Sequence, residues 1–322
     1  MVEAMSRLWY FLEDDKTVDK YVFFMEDGSE REIKGNYKEA LVLLNIWDKL
    51  EIINKPTKYK EVVVPELGYK WKTYYSEKQK NVFETIFKNV KPNSSWKKYE
   101  KIYFTRKQLS KAGNLEFGGE VLDDFFEKNG YEVISPEKMT LSEMIFCIRN
   151  AEVCATLSGS LPHNLLFAQD GKKLIIVERC VLNNEIQVDV NRMKNLNVTY
   201  IDANFPIYTV NMSGPFIMAY NDKLQKFAKD NHMLPPDSKF LTSKHLNLCF
   251  KKYMENYRKE YNYRWYMDDW YVSYADYLWE AYKDGYKQFQ DFLSGERPFK
   301  INHYFSWRYM KRFIRRALKR FL

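Results

Sequence analysis

The sequence predicts an α/β protein: a parallel, doubly wound sheet in a two-domain chain, followed by an aromatic-rich helical region. Three observations carry that prediction. Between residues 101 and 202 short β-branched runs alternate with amphipathic stretches, at the interval that suits repeated strand–helix–strand units. The 322 residues exceed one ordinary core and favour about two domains. Finally, 45 % hydrophobic and 17 % aromatic residues supply ample surface to bury, and 29 % charged residues keep the exterior solvated, which excludes a disordered chain.

The N-terminal elements come first. Residues 1–13 have helical spacing, and "GNYKEALVLLNIWDKL" (35–50) reads as a second helix with Asn36 as its cap. "EVVVPE" (61–66) reads as a short buried strand ended by Pro65, and "SEKQKNVFETIF" (76–87) as a helix. The stretch "NVKPNSSWKKYE" (89–100) mixes Pro, Asn, Ser and Lys without apolar periodicity, so the domain boundary is placed there. The resulting division is 1–92, 100–212, a helical region over 213–306 and a basic helix over 307–322.

Beyond that boundary "KIYFT", "YEVIS", "EVCATLS" (152–158), "KLIIVE" (173–178) and "NVTYID" (197–202) read as strands. The intervening "EVLDDFFEKNG" and "TLSEMIFCIRNA" read as helices, the latter opened by a capping box of Thr140 and Glu143. Sheets of this kind bind ligands outside the carboxyl ends of their strands. From about residue 214 the chain is helical and rich in Tyr and Trp, whose spacing suits packing of helices and leaves carbohydrate stacking open as a second reading.

Charge and cysteines narrow the functional classes. The net charge of +8 is concentrated at the end: Arg308, Lys311, Arg312, Arg315, Arg316, Lys319 and Arg320 fall in a stretch without acidic residues, and without them the chain is nearly neutral. A nucleic-acid groove spread over the body is therefore not expected. Cys147, Cys154, Cys180 and Cys249 have neither Cys-x-x-Cys spacing nor the pattern of a disulfide framework, which points to reduced thiols and a cytoplasmic protein. No apolar run approaches the roughly 20 residues of a membrane-spanning helix.

The stretch richest in chemistry is "SGSLPHNLLFAQDGKKLIIVER" (158–179). Ser158, Gly159 and Ser160 stand where a strand gives way to a helix, a junction that offers backbone N–H groups, hydroxyls and a helix dipole to a phosphate. Gly159 allows close backbone approach, and Pro162 suits a first helical turn. His163 reads either as a proton donor or cation beside that phosphate, or as a packed or capping residue. Neither G-x-G-x-x-G nor G-x-x-x-x-G-K-[ST] occurs, and no two aspartates are separated by one residue. Asp268-Asp269 reads as a solvated helix pair. A bound diphosphate would be neutralised by protein cations and dipoles, so no metal is expected there.

Several pieces together resemble the bacterial, capsular-polysaccharide branch of glycosyltransferase family 61. They are the strand end of "KIYFTR" with Arg106, Glu116 ten residues on, "NGYEVISPEKMTLSE", and the loop Gly159-Ser160-Leu161-Pro162-His163-Asn164, with "VVVPE" upstream and "NNEIQVDVNRMKNLNVTYID" downstream. The resemblance runs from residue 1 to about 230. It implies a GT-B-like pair of Rossmann-like domains, the acceptor on the N-terminal side and a nucleotide sugar on the C-terminal one, with inversion at the anomeric carbon. It further implies donor contacts at Arg106, Glu116, Ser158, Gly159, Ser160, His163, Asn164 and Glu178. Arg106 and the 158–164 turn would stabilise charge on the leaving phosphate, and Glu116 and Glu178 would bind ribose or sugar hydroxyls, unless they cap or salt-bridge instead. His163 and Glu3 are the catalytic candidates, Glu3 as base, with Arg7 structural.

"MVEAMSRLWYF" matches only the second half of the family's first motif, so a truncated N-terminal domain is expected, with a non-catalytic sugar-nucleotide-binding or assembly protein as the alternative. No cofactor is expected beyond the donor substrate. "WRYMKRFIRRALKRFL" places apolar residues on one helical stripe and its seven cations on the other. That reads as an anchor on anionic lipid, worth about 1 kcal/mol per cation, with nucleic acid or a partner helix as the other reading. The expected partners are thus a nucleotide sugar, a glycan acceptor that is lipid-linked in this reading, and the inner face of the plasma membrane.

Overall fold

In a computed structural model the chain is described over residues 3–14, 18–25, 32–109, 115–180, 185–204 and 214–263. It divides into two compact units, one of residues 1–108, 129–178 and 182–201, the other of 109–128, 179–181 and 202 onward.

Unit 1 opens with turns over residues 3–8 and helix α1 (Trp9–Asp14). Strand β1 (Tyr21–Phe24), helix α2 (Gly35–Leu43) and strand β2 (Leu50–Ile53) form a β-α-β unit whose two strands pair in parallel. Helix α2 departs from the sequence expectation at both ends. Extended Lys34 precedes it without a side-chain cap, so Asn36 lies inside the first turn and caps nothing. It stops at Leu43 because Asn45 adopts a left-handed φ of 59°. Asn45 N–H then donates to Val42 O and Ile46 N–H to Leu41 O, the two bonds of a Schellman termination.

"EVVVPE" is not a buried strand. Val62, Val63 and Val64 are 64 %, 52 % and 71 % exposed and no ladder includes them. The following backbone is held by other partners: Arg7 donates to Pro65 O, Trp9 Nε1 to Glu66 O at 2.9 Å, and Gly68 N–H to Ser6 O. A short antiparallel pair, β3 (Tyr69–Lys70) with β4 (Tyr74–Tyr75), leads into α3 (Glu77–Asn89), which Ser76 caps through Gln79 N–H.

Strand β5 (Lys101–Phe104) starts the main sheet. The chain then passes through unit 2 as β6 (Glu116–Phe117) and α4 (Gly119–Lys128). It returns as β7 (Glu132–Ile134), α5 (Leu141–Asn150), β8 (Val153–Leu157), a 3-10 helix over Leu161–Phe167, β9 (Lys173–Glu178), α6 (Glu185–Met193) and β10 (Asn197–Asp202). The sheet is parallel, in the order β10-β9-β8-β5-β7. The α/β class and the strand–helix alternation read from the sequence are what the chain adopts.

One buried cluster runs through unit 1, from Met5 and Leu8 through Phe83, Ile102 and Ile145 to Met193. It crosses the stretch 89–100: Val90 is buried, and Trp96 and Tyr99 pack against the cluster, Trp96 on Phe146 with ring centroids 5.4 Å apart. Thr140 accepts from Glu143 N–H at the head of α5, as its sequence predicts. Glu39 adds a second cap to that helix, its carboxylate accepting from Leu141 N–H and Ser142 N–H at 2.8 Å each.

In unit 2, β6 pairs in parallel with β11 (Phe216–Ile217), and Gly118 beyond it has φ +80° with Met218 O against its Cα: an added Cβ would come to 2.1 Å of that oxygen. Helices α7 (Asp222–Asp230), capped by Asn221 through Leu224 N–H, and α8 (Ser243–Tyr263) follow, so strand β11 precedes the helices of the stretch read from sequence as helical from about residue 214. Residues 264–322, with most of the aromatic stretch and all the basic tail, lie outside the described residues. Among the described residues no helix is long and apolar enough to cross a membrane.

Candidate functional site

Three neighbouring strands of the main sheet, β5, β8 and β9, end side by side with their carboxyl ends on one edge. Their register pairs Phe104 with Thr156 and Thr156 with Ile176. Two residues further along each chain stand Arg106, Ser158 and Glu178: Glu178 ends β9, while Arg106 and Ser158 follow just past the last residues of β5 and β8, on adjacent strands spaced about 4.8 Å apart. The polar edge follows from the apolar strands that deliver it: Phe104, Leu157 and Val177 are buried.

Each chain then turns differently. After β5, Thr105 N–H donates to Ile134 O and Thr105 Oγ1 accepts from Lys107 N–H, a local turn with half-exposed Arg106 at its bend. After β8, Ser158 N–H donates to Val177 O at 2.9 Å, and Gly159 takes a φ of 128°, a region that disfavours any side chain. Ser160 is exposed, Pro162 is buried in the first turn of the following helix, and His163 and Asn164 are half-buried. Glu178, last in β9, is buried.

The short helix read after the turn is present as a seven-residue 3-10 helix, whose poorer hydrogen-bond alignment gives a weaker end dipole than an α-helix. Two backbone N–H groups here are engaged locally, Ser158 with Val177 O and His163 with Ser160 O at 3.3 Å. The same edge also carries half-exposed Arg106, exposed Ser160 and the close backbone approach that Gly159 permits.

The other candidates are Glu116, Glu3 and the seven basic residues of the tail. Glu116 is in unit 2, where its carboxylate accepts from the Arg179 guanidinium; the two side chains are only 7 % and 9 % exposed. Arg179 also stacks over Phe216, 4.2 Å from ring centre. No local pattern assigns Arg179 a partner; a charge directly after five buried strand residues is the signal that marks it. Glu3 is exposed in the N-terminal turns, with its carbonyl accepting from Ser6 N–H. Its charge is felt by Tyr69, whose hydroxyl is pushed up mainly by burial and by its 2.8 Å hydrogen bond to the buried Asp189 carboxylate. Asp189 was not anticipated. The cations Arg308, Lys311, Arg312, Arg315, Arg316, Lys319 and Arg320 lie outside the described residues.

Residues 1–175 match the family model described as Glycosyltransferase 61, a span that includes Arg106, Glu116 and the whole 158–164 turn. No curated protein matches the chain. With more than half its length covered, the chain belongs to glycosyltransferase family 61.

Proposed function

We propose, with membership of family 61 and hence a glycosyltransferase enzyme as the premise, that the edge at Arg106, Ser158–Asn164 and Glu178 holds the diphosphate and sugar of a nucleotide-sugar donor. The observation that supports the proposal is the register, which brings the carboxyl ends of β5, β8 and β9 side by side, each followed or ended by a polar group: Arg106, the turn at Gly159 and the buried Glu178 carboxylate. That is the edge at which parallel sheets bind nucleotides.

In this reading an acceptor hydroxyl attacks the anomeric carbon in line as the nucleoside diphosphate leaves, so the configuration inverts. Arg106 faces the charge that develops on the departing phosphate, an interaction stronger in the transition state than in the ground state. His163 donates a hydrogen bond or proton to the same phosphate, Ser158, Gly159, Ser160 and Asn164 cradle it, and Glu178 binds donor hydroxyls. The resemblance also assigns Glu116 to the donor, and Glu3 stays the candidate base. The absence of an Asp-x-Asp clasp supports metal-independent neutralisation of the diphosphate. A GT-B-like arrangement, capsule or cell-surface polysaccharide as product, a lipid-linked acceptor and the cytoplasmic membrane face as the place of work complete the proposal, the last supported by the basic amphipathic pattern of 307–322.

Thermal-shift measurements against a panel of nucleotide sugars test the site. At least one donor raises the melting temperature of the parent protein, and Arg106→Ala and His163→Ala each lose that rise. Equal shifts in parent and both variants would place the donor elsewhere.

A further inference from the structure

Within unit 2, α4 and α8 bring a carboxylate, an imidazole and a thiol to one point. His245 and Cys249 are four residues apart on α8 and so share one face, while Glu120 comes from the first turn of α4. Cys249 Sγ is 3.5 Å from His245 Nε2 and 3.9 Å from Glu120 Oε1, and His245 Nε2 is 3.6 Å from that same oxygen. Among the described residues these three form a compact cluster of potential ligand atoms, all within 4.8 Å of one another.

Metal geometry accounts for that triangle. Tetrahedral zinc with Zn–S of about 2.3 Å, Zn–N of about 2.0–2.1 Å and Zn–O of about 2.0–2.2 Å sets its ligand atoms about 3.3–3.6 Å apart. The observed separations need contract by only a few tenths of an ångström or not at all. A nucleophilic relay is built differently: its acid engages one ring nitrogen and its nucleophile the other. Here thiol and carboxylate both face Nε2, so they converge on a point and form no chain. The mixed sulfur, nitrogen and oxygen set suits a borderline-soft ion and not Mg²⁺ or Ca²⁺, which prefer all-oxygen sites.

We propose that Glu120, His245 and Cys249 bind a zinc ion, with solvent as its fourth ligand. Cys249 is 5 % exposed, so the sulfur side of the site is closed, whereas the Glu120 side chain keeps 44 % of its surface and leaves a route for the ion and its solvent ligand. The Phe240 ring meets the His245 ring edge-on at 5.3 Å and fixes its plane, and Thr242 Oγ1 accepts from His245 N–H at the start of α8. Binding releases the thiol proton to solvent and ties α8 to the first turn of α4. None of these residues belongs to the strand-end site, so the zinc proposal and the donor proposal succeed or fail separately.

Full-length chain, produced without a histidine tag in zinc-supplemented medium and desalted, is measured for metal by mass spectrometry; about one zinc per chain is expected. Cys249→Ser and His245→Gln bring the content to background, while Cys147→Ser keeps it. Cobalt added to metal-free protein gives a thiolate-to-cobalt charge-transfer band that Cys249→Ser lacks. X-ray absorption of the wild-type zinc form reads the ligands without any variant: one sulfur at about 2.3 Å and the rest nitrogen or oxygen. Failure of the wild type to retain or take up zinc overturns the proposal. So does a first shell with no sulfur or with two, or a folded Cys249→Ser that binds the metal as the parent does.

Discussion

Glu116 and Arg179 show how one residue can carry both a structural and a ligand-binding reading. With the two side chains 7 % and 9 % exposed, Glu116→Ala leaves a guanidinium buried without its carboxylate, and chemical denaturation should report a loss of about 3–5 kcal/mol. A carboxylate whose only work is to touch a sugar would cost far less stability when removed. Gly118 is a second sensitive position, because φ +80° and Met218 O 2.1 Å from any added Cβ allow no larger side chain without parting β6 from β11. Gly118→Ala should therefore lower the melting temperature well beyond the usual helix-propensity cost. Residues of this kind were only partly legible. Arg106, Ser158 and Glu178 follow from where strands end, which is local and periodic. The pairing of Glu116 with Arg179 joins residues 63 positions apart, and Asp189 with Tyr69 joins residues 120 apart; no local pattern encodes either.

At the scale of elements, long-range charges finish what local propensity starts. Glu39 of α2 supplies the carboxylate at the head of α5, so Glu39→Ala should destabilise the protein by about 1–2 kcal/mol, against about 1 kcal/mol for the local cap in Thr140→Ala. Lys194, 1 % exposed after α6, pairs with Glu84 of α3 and lies 3.1 Å from Asp170, which also takes Lys80 at 2.7 Å. The double change Glu84→Gln with Asp170→Asn strands this ammonium and should cost about 3–5 kcal/mol, more than Lys194→Met, whose former partners reach solvent. Burial alone would raise the Asp170 carboxyl, but hydrogen bonds from Lys80 and Lys194 outweigh it and hold the value below the ordinary 3.8. Its contribution is thus complete above that pH and is lost as the pH falls through the lowered value. Urea midpoints taken between pH 5 and pH 2 (about the range of carboxylate titration) should fall less steeply for Asp170→Asn than for the parent. Strand and helix identities were legible at this scale because period and caps are local. The early end of α2 was not: Asn45 adopts the left-handed conformation inside an apolar run that still reads as helix. "EVVVPE" misled for the opposite reason, since β-branched residues favour a strand only where a neighbouring strand exists to pair with them.

For the whole molecule, the family match covers most of the candidate site: the matched span 1–175 contains β5, the turn after β8 and most of the core cluster on which they rest, and ends just before Glu178. What is legible from sequence at this scale is class and activity: an α/β chain and a glycosyltransferase. Donor identity is set by pocket shape, which no motif in the chain encodes. The most direct test of the account is transfer itself. Release of nucleoside diphosphate from the donor that stabilises the protein, with a cell-surface glycan as acceptor and no added Mg²⁺ or Mn²⁺, is compared between the parent and Arg106→Ala. Turnover by the parent and a loss on the order of 10²–10³-fold in the variant is the predicted result, the scale of removing one preorganised contact to transition-state charge. Equal turnover by a folded Arg106→Ala would contradict it.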